Sequence, residues 1–153
     1  MERLTGRILD FGSGLGEYDD FLGADSVDDD TEKEYAEEHL AKITPTAKHF
    51  QQWVTVNKPL PVPDNYYHVI RMGYCWGWMG EDFVKTGPEL VRILVPGGML
   101  VIFDAAIDEE DHGFGSLEHL EEHFQEALPN CTVFVQGRQT AEGLEFNVIA
   151  HKL

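Results

Sequence analysis

A short apolar run that ends in glycines at every second position, Ile8-Leu9-Asp10-Phe11-Gly12-Ser13-Gly14-Leu15-Gly16, constrains this chain more than any other feature. Its apolar residues predict a buried strand over Arg7 to Phe11. Its glycines predict a loop whose main-chain N–H groups can approach a ligand edge that any side chain would block. Asp10, at the carboxyl end of the strand, adds an acceptor able to fix the loop or a cationic ligand. The dinucleotide fingerprint G-x-G-x-x-G needs its third glycine at position 17, where this chain has Glu17, so a pyrophosphate is disfavoured there.

The rest of the chain alternates strand and helix signals. Phe21 to Asp25 reads as a short second strand ending in an acid, and Asp28 to Lys42 as a helix with acids in its first turn. Thr46 to Gln52 predicts a turn or two of helix, and Trp53 to Val56 a strand. The three prolines of Lys58 to Asp64 rule out regular structure. Tyr67 to Met72 follows as a strand, then Glu81 to Leu94 reads as helical, a short turn followed by a helix starting near Gly87 with Pro88 in its first turn. Pro96-Gly97-Gly98 predicts a tight turn and Met99 to Asp104 a strand. Ser116 to Leu128 predicts an amphipathic helix capped by Ser116, with Leu117, Leu120, Phe124 and Leu128 on one face. Cys131 to Val135 and Leu144 to Ala150 predict a terminal hairpin across GRQTAEG. Together these elements imply a single α/β domain over residues 1–153, in which a mostly parallel, three-layer sheet ends in an antiparallel hairpin.

The formal charge of −17, from 28 acidic against 11 basic residues, excludes a broad phosphate-binding face and makes nucleic acid an unsuitable substrate. Such acidity can serve solubility or a basic partner. No stretch of about 18 apolar residues is present to span a membrane, and the polar N-terminus lacks a signal pattern, so a cytoplasmic protein is expected. Cys75 and Cys131 form no C-x-x-C motif and are expected to be buried thiols. His119 and His123 are four apart, but Leu120 follows His119, so the H-E-x-x-H pattern is absent. No metal site is expected, and the two histidines read as a solvated helix face.

Three segments carry a family resemblance. The glycine loop resembles motif I of the class I S-adenosylmethionine-dependent methyltransferases. Leu60-Pro61-Val62-Pro63-Asp64-Asn65-Tyr66-Tyr67-His68-Val69-Ile70 is similar to that family's L-P-F-P-D-N-S-F-D-V-V, which leads into its fourth strand. Glu89 to Ile102, ELVRILVPGGMLVI, resembles the family's E-x-x-R-V-L-K-P-G-G-x-L-V-I. The three motifs occur in family order and cover most of the chain. They imply a Rossmann-like methyltransferase fold with a shortened first helix region and S-adenosylmethionine as cofactor.

The resemblance implies cofactor contacts from Asp10, Gly12, Ser13, Gly14 and Gly16, with Met72 at the end of the fourth strand. The family's ribose-binding acid ends its second strand. Asp25 occupies that place if the first helix is nearly deleted. If Val54 to Val56 is instead the second strand, Asn57 does. Otherwise Asn57 lies near the base, where the family commonly has Asp-Ala. Tyr74, Trp76 and Trp78 line the expected acceptor pocket or, equally, pack in the core. A base is needed only if the acceptor must lose a proton, and His68 and His112 are its candidates. The implied reaction is methyl transfer to a small-molecule or protein acceptor. The compressed first helix region also suits a non-catalytic, protein-binding member of the same fold.

Overall fold

The structure, a computed structural model, describes residues 8–12, 25–29, 51–54, 59–60, 62–73, 75–106 and 116–153. Among these residues seven strands form one sheet in the order β3-β2-β1-β4-β5-β7-β6. They are β1 (Ile8–Phe11), β2 (Asp25–Asp29), β3 (Gln51–Val54), β4 (Tyr67–Gly73), β5 (Leu94–Ala106), β6 (Cys131–Thr140) and β7 (Gly143–Lys152). Strands β1 to β5 pair in parallel, while β7 runs antiparallel to both β5 and β6. The expected mostly parallel sheet with one antiparallel strand is therefore present. Strand order reverses between β1 and β4, because the chain builds outward to β2 and β3 on one side and to β5 on the other. Such a switch point opens a crevice at the carboxyl ends of the strands.

Alternation along the strands sorts side chains onto two faces. Leu9, Ile70, Met72, Leu100, Ile102, Phe146, Val148 and Ala150 are buried on one of them. Over this face lie the helices α1 (Trp76–Met79), α2 (Phe83–Ile93) and α3 (Leu117–Ala127). Trp76, Phe124 and Phe146 meet ring to ring, with centroids 5.1 to 6.0 Å apart. Helix α2 approaches α3 closely because Gly87 has no side chain; a Cβ there would collide with the Ala127 carbonyl. Ser116 caps α3 as expected, its hydroxyl accepting from the His119 N–H at 3.3 Å. Leu120, Phe124 and Leu128 are buried on the expected face.

Several boundaries differ from the sequence reading, each where tertiary pairing overrides local preference. While Phe21 to Ala24 of the expected strand lie outside the described residues, Asp25–Asp29 form the second strand, so Asp28 and Asp29 are strand and not helix. Its acid-rich sequence is poor in strand formers, but it is paired on both sides, by β1 and β3. Gln51 and Gln52 likewise belong to β3. Pro88 lies inside α2 and not in its first turn, since the helix begins at Phe83. It faces solvent, where water can satisfy the carbonyl it leaves unpaired. The expected turn at Pro96-Gly97-Gly98 is a bulge within β5: pairing jumps from Tyr67↔Leu94 to Val69↔Met99, with Gly97 at φ 76°. The terminal hairpin is longer than expected, closing as Thr140↔Gly143 around Ala141 and Glu142.

Candidate functional site

The sequence segments Leu60 to Asp64 and Glu89 to Leu94 meet at the amino end of β4. The Leu60 N–H donates to Glu89 Oε1 at 2.6 Å. Arg92 ties the rest together: Nε donates to Glu89 Oε2 at 2.8 Å, Nη1 to the Val62 carbonyl at 2.8 Å and to Asp64 at 2.7 Å, and Nη2 to the Leu60 carbonyl at 3.0 Å. Burial pushes the Glu89 carboxyl up. The hydrogen bonds from Arg92 and the Leu60 N–H, with the guanidinium charge, outweigh burial and leave it below the usual carboxylate range. The same pairing raises Arg92. This cluster holds Leu60 and Val62 to Asp64 against α2, at the end of the sheet opposite Gly12.

The carboxyl end is built differently. Asp10 on β1 is fully buried and stands beside Arg71 on β4 in register. Arg71 Nη1 donates to Asp10 Oδ1 at 2.7 Å, an ion pair that bridges the switch point. The guanidinium carbon lies 4.7 Å from the centroid of the Phe103 ring on β5. Asp10 Oδ2 is buried and, among the described residues, has no hydrogen-bond partner. A buried carboxylate oxygen without a donor is costly to maintain.

Gly12 follows at φ 72°. A Cβ on it would lie 2.5 Å from Cys75 Sγ, and that thiol donates to the Phe11 carbonyl at 3.4 Å. The bare backbone at Gly12 thus admits Cys75 of the same chain. Neither Cys75 nor Cys131 forms a disulfide, and both are half-buried instead of fully buried. Burial pushes the Cys131 thiol up, partly offset by the Lys152 charge.

The remaining sequence candidates divide clearly. Ser13, Gly14, Gly16, Asn57, Tyr74 and His112 lie outside the described residues, as does most of the expected helix from Asp28 to Lys42. Asp25 begins β2, level with Leu9, instead of ending it. The acids beyond the level of Phe11↔Val27 are Asp28 and Asp29. His68 is the second residue of β4 and exposed, at the amino end, so it stands away from Gly12 and the crevice. Met72 and Trp76 are fully buried in the core, placed there by strand alternation and by the aromatic cluster, and present no surface to a ligand. Trp78 lies on α1.

His119 and His123 do not share an environment. His119 is exposed, whereas His123 is buried, its Nε2 accepting from the Trp76 indole N–H at 3.4 Å. The expectation of a solvated pair is therefore wrong for His123. Among the described residues no group of three or more His, Cys, Asp or Glu side chains is arranged to hold a metal ion, and no helix is long and apolar enough to cross a membrane.

Sequence reasoning missed Arg71. A charged residue between Ile70 and Met72, in a strand otherwise apolar at its centre, was the available signal. A pocket of about 420 Å³ lies at the same end of the sheet, lined by Ala105, Thr140, Glu142, Gly143 and Glu145. Glu145 is already paired with Arg138 at 2.7 Å, so the unmet donor requirement lies at Asp10.

No protein-family model matches the chain, and no curated protein matches its sequence. Solved structures do. An S-adenosylmethionine-dependent methyltransferase from Aquifex aeolicus is 21% identical over 99% of this chain and 85% of that one, with a TM-score of 0.68. A putative sarcosine dimethylglycine methyltransferase from Galdieria sulphuraria is 16% identical over 98% of this chain and 79% of its own, with a TM-score of 0.71. Phosphoethanolamine N-methyltransferase 2 of Haemonchus contortus, solved with phosphomonomethylethanolamine and S-adenosylhomocysteine, is 15% identical over 98% of this chain and 49% of its own, with a TM-score of 0.68. With this sheet order and these neighbours, the chain has the Rossmann-like fold of the S-adenosylmethionine-dependent methyltransferases.

Proposed function

We propose that the chain binds S-adenosylmethionine at the crevice between β1 and β4 and transfers its methyl group to a small-molecule or protein acceptor. The observation that carries this reading is the buried, unpartnered Asp10 Oδ2 at the switch point. It fits a ligand with a cationic donor, and the ammonium of the cofactor's methionine part is such a group. When bound, the cofactor supplies an electrophilic methyl group on a sulfonium. The protein's task is then to orient donor and acceptor in line and keep water from between them.

Asp10 accepts from the ammonium, and the loop from Ser13 to Gly16 offers backbone N–H groups. The acid for the ribose hydroxyls comes from Asp28 or Asp29, at the carboxyl end of β2, in place of Asp25. Asn57, three residues beyond the end of β3, is retained for the base. Methyltransferase structures with the cofactor's product bound, such as that from Haemonchus contortus, support the choice of ligand. His112 remains the candidate base should the acceptor carry a proton.

Isothermal calorimetry with S-adenosylmethionine and S-adenosylhomocysteine tests the reading. Binding of both is expected, weakened roughly tenfold or more by Asp10→Asn, since a hydrogen bond to a charged group is worth about 1.5–3 kcal/mol. Folded protein that binds neither ligand overturns it.

A further inference from the structure

Arg71 lies on the face of β4 opposite the buried Ile70 and Met72, in register between Asp10 on β1 and Val101 on β5. Fold stability does not require a charge there. A buried ion pair forfeits much of its attraction to desolvation, and an apolar pair of similar volume commonly folds as well or better. Yet three strands accommodate this side chain. Asp10 on β1 holds Nη1 at 2.7 Å, and the Phe103 ring on β5 lies 4.7 Å from the guanidinium carbon. On β4 itself Gly73 leaves room, since a Cβ there would lie 2.8 Å from Nη2. The Arg71 side chain is 18% exposed and that of Asp10 only 1%.

The consequence is an asymmetric carboxylate. Oδ1 is taken by Arg71, and Oδ2 has no partner among the described residues. A guanidinium packed against a ring and bonded to Oδ1 restrains the carboxylate it holds, more than a flexible ammonium would. We propose that Arg71 is a positioning residue: it anchors Asp10 through Oδ1 so that Oδ2 receives the ammonium of the cofactor's amino-acid end. Arg71 thereby sets the preference for ligands that carry that end over those that lack it. This rests on the cofactor reading above and goes beyond it by assigning that preference to an arginine on β4.

The test compares two ligands that share the adenosine thioether and differ in the amino-acid end. S-adenosylhomocysteine has it, and methylthioadenosine does not. The full chain and its Arg71→Met and Arg71→Lys variants are titrated with both by calorimetry, with circular dichroism confirming the fold. The wild type should prefer S-adenosylhomocysteine. Arg71→Met should bind it roughly tenfold or more weakly, the scale of one charge-assisted hydrogen bond, while methylthioadenosine affinity stays within about twofold of wild type. Arg71→Lys should recover part of the difference. If Arg71→Met does not fold, a reduced preference in Arg71→Lys decides the matter alone.

Equal weakening of both ligands would reduce Arg71 to a structural role and overturn the proposal, as would unchanged or tighter binding of S-adenosylhomocysteine. A wild type that binds neither ligand overturns the cofactor reading together with this one, an outcome distinct from a wild type that binds but whose preference ignores Arg71.

Discussion

Two arginine–carboxylate clusters sit at opposite ends of the same parallel strands, and they are finished to different degrees. At the amino end Arg92 reaches Glu89, Asp64 and the carbonyls of Leu60 and Val62, and the second Glu89 oxygen also accepts from the Leu60 N–H. At the carboxyl end Arg71 holds one oxygen of a fully buried Asp10 and leaves the other without a donor among the described residues. A satisfied network rigidifies a fold, whereas an incomplete one costs stability unless something completes it. The amino-end cluster is therefore part of the scaffold, and the carboxyl-end cluster is where a ligand would add to it.

Removing Arg92 is the strongest way to break this comparison. Arg92→Ala strips donors from Glu89 and from two carbonyls, and should cost about 2–3 kcal/mol, the lower part of the range because the side chains are partly exposed. In thermal unfolding that is a drop of roughly 5–10 °C. Ligand affinity of the folded fraction should be unchanged. A variant of wild-type stability that binds S-adenosylhomocysteine more weakly would reverse the roles assigned to the two ends.

A smaller effect sharpens the same contrast. In the folded protein Glu89 lies below the usual carboxylate range, chiefly because hydrogen bonds from Arg92 and the Leu60 N–H outweigh the opposing effect of burial. A group whose pKa is depressed by folding contributes stability that is complete above its unfolded value, about 4.3, and disappears as pH falls through the folded value. Denaturant unfolding between about pH 5 and pH 3 should therefore show wild type losing more stability on acidification than Glu89→Gln. Parallel curves would mean that the cluster contributes nothing through its charge.

Legibility in the sequence follows the range of the interactions involved. The proline crossing, the Ser116 cap and the apolar face of α3 depend on neighbours a few residues away, and all three are present in the structure. β2 could not be placed by such reasoning, because Asp-Ser-Val-Asp-Asp becomes a strand only through its partners β1 and β3. Asp25, expected to end the second strand, begins it for that reason. His123 also reads as a polar helix residue until Trp76, 47 positions away, supplies a donor. The Asp10–Arg71 pair spans 61 positions and exists only because β1 and β4 are adjacent in the sheet. Motif I revealed one of its members, and the other needed the topology.

The smallest expected effect concerns His68, which the motif alignment nominated as a base. Its position on β4 argues otherwise, since parallel strands share a direction and His68 precedes Arg71 by three residues, about 10 Å along an extended strand. It is exposed beside the scaffold cluster, not beside Asp10. His68→Ala should thus leave stability within about 0.5 kcal/mol of wild type, as for other surface substitutions away from special features, and leave both S-adenosylhomocysteine affinity and any methyl-transfer rate unaltered. A pH–rate profile that loses its histidine-like limb in this variant would show proton transfer acting from the amino end. That would break the division between a scaffold end and a ligand end more directly than any change in stability could.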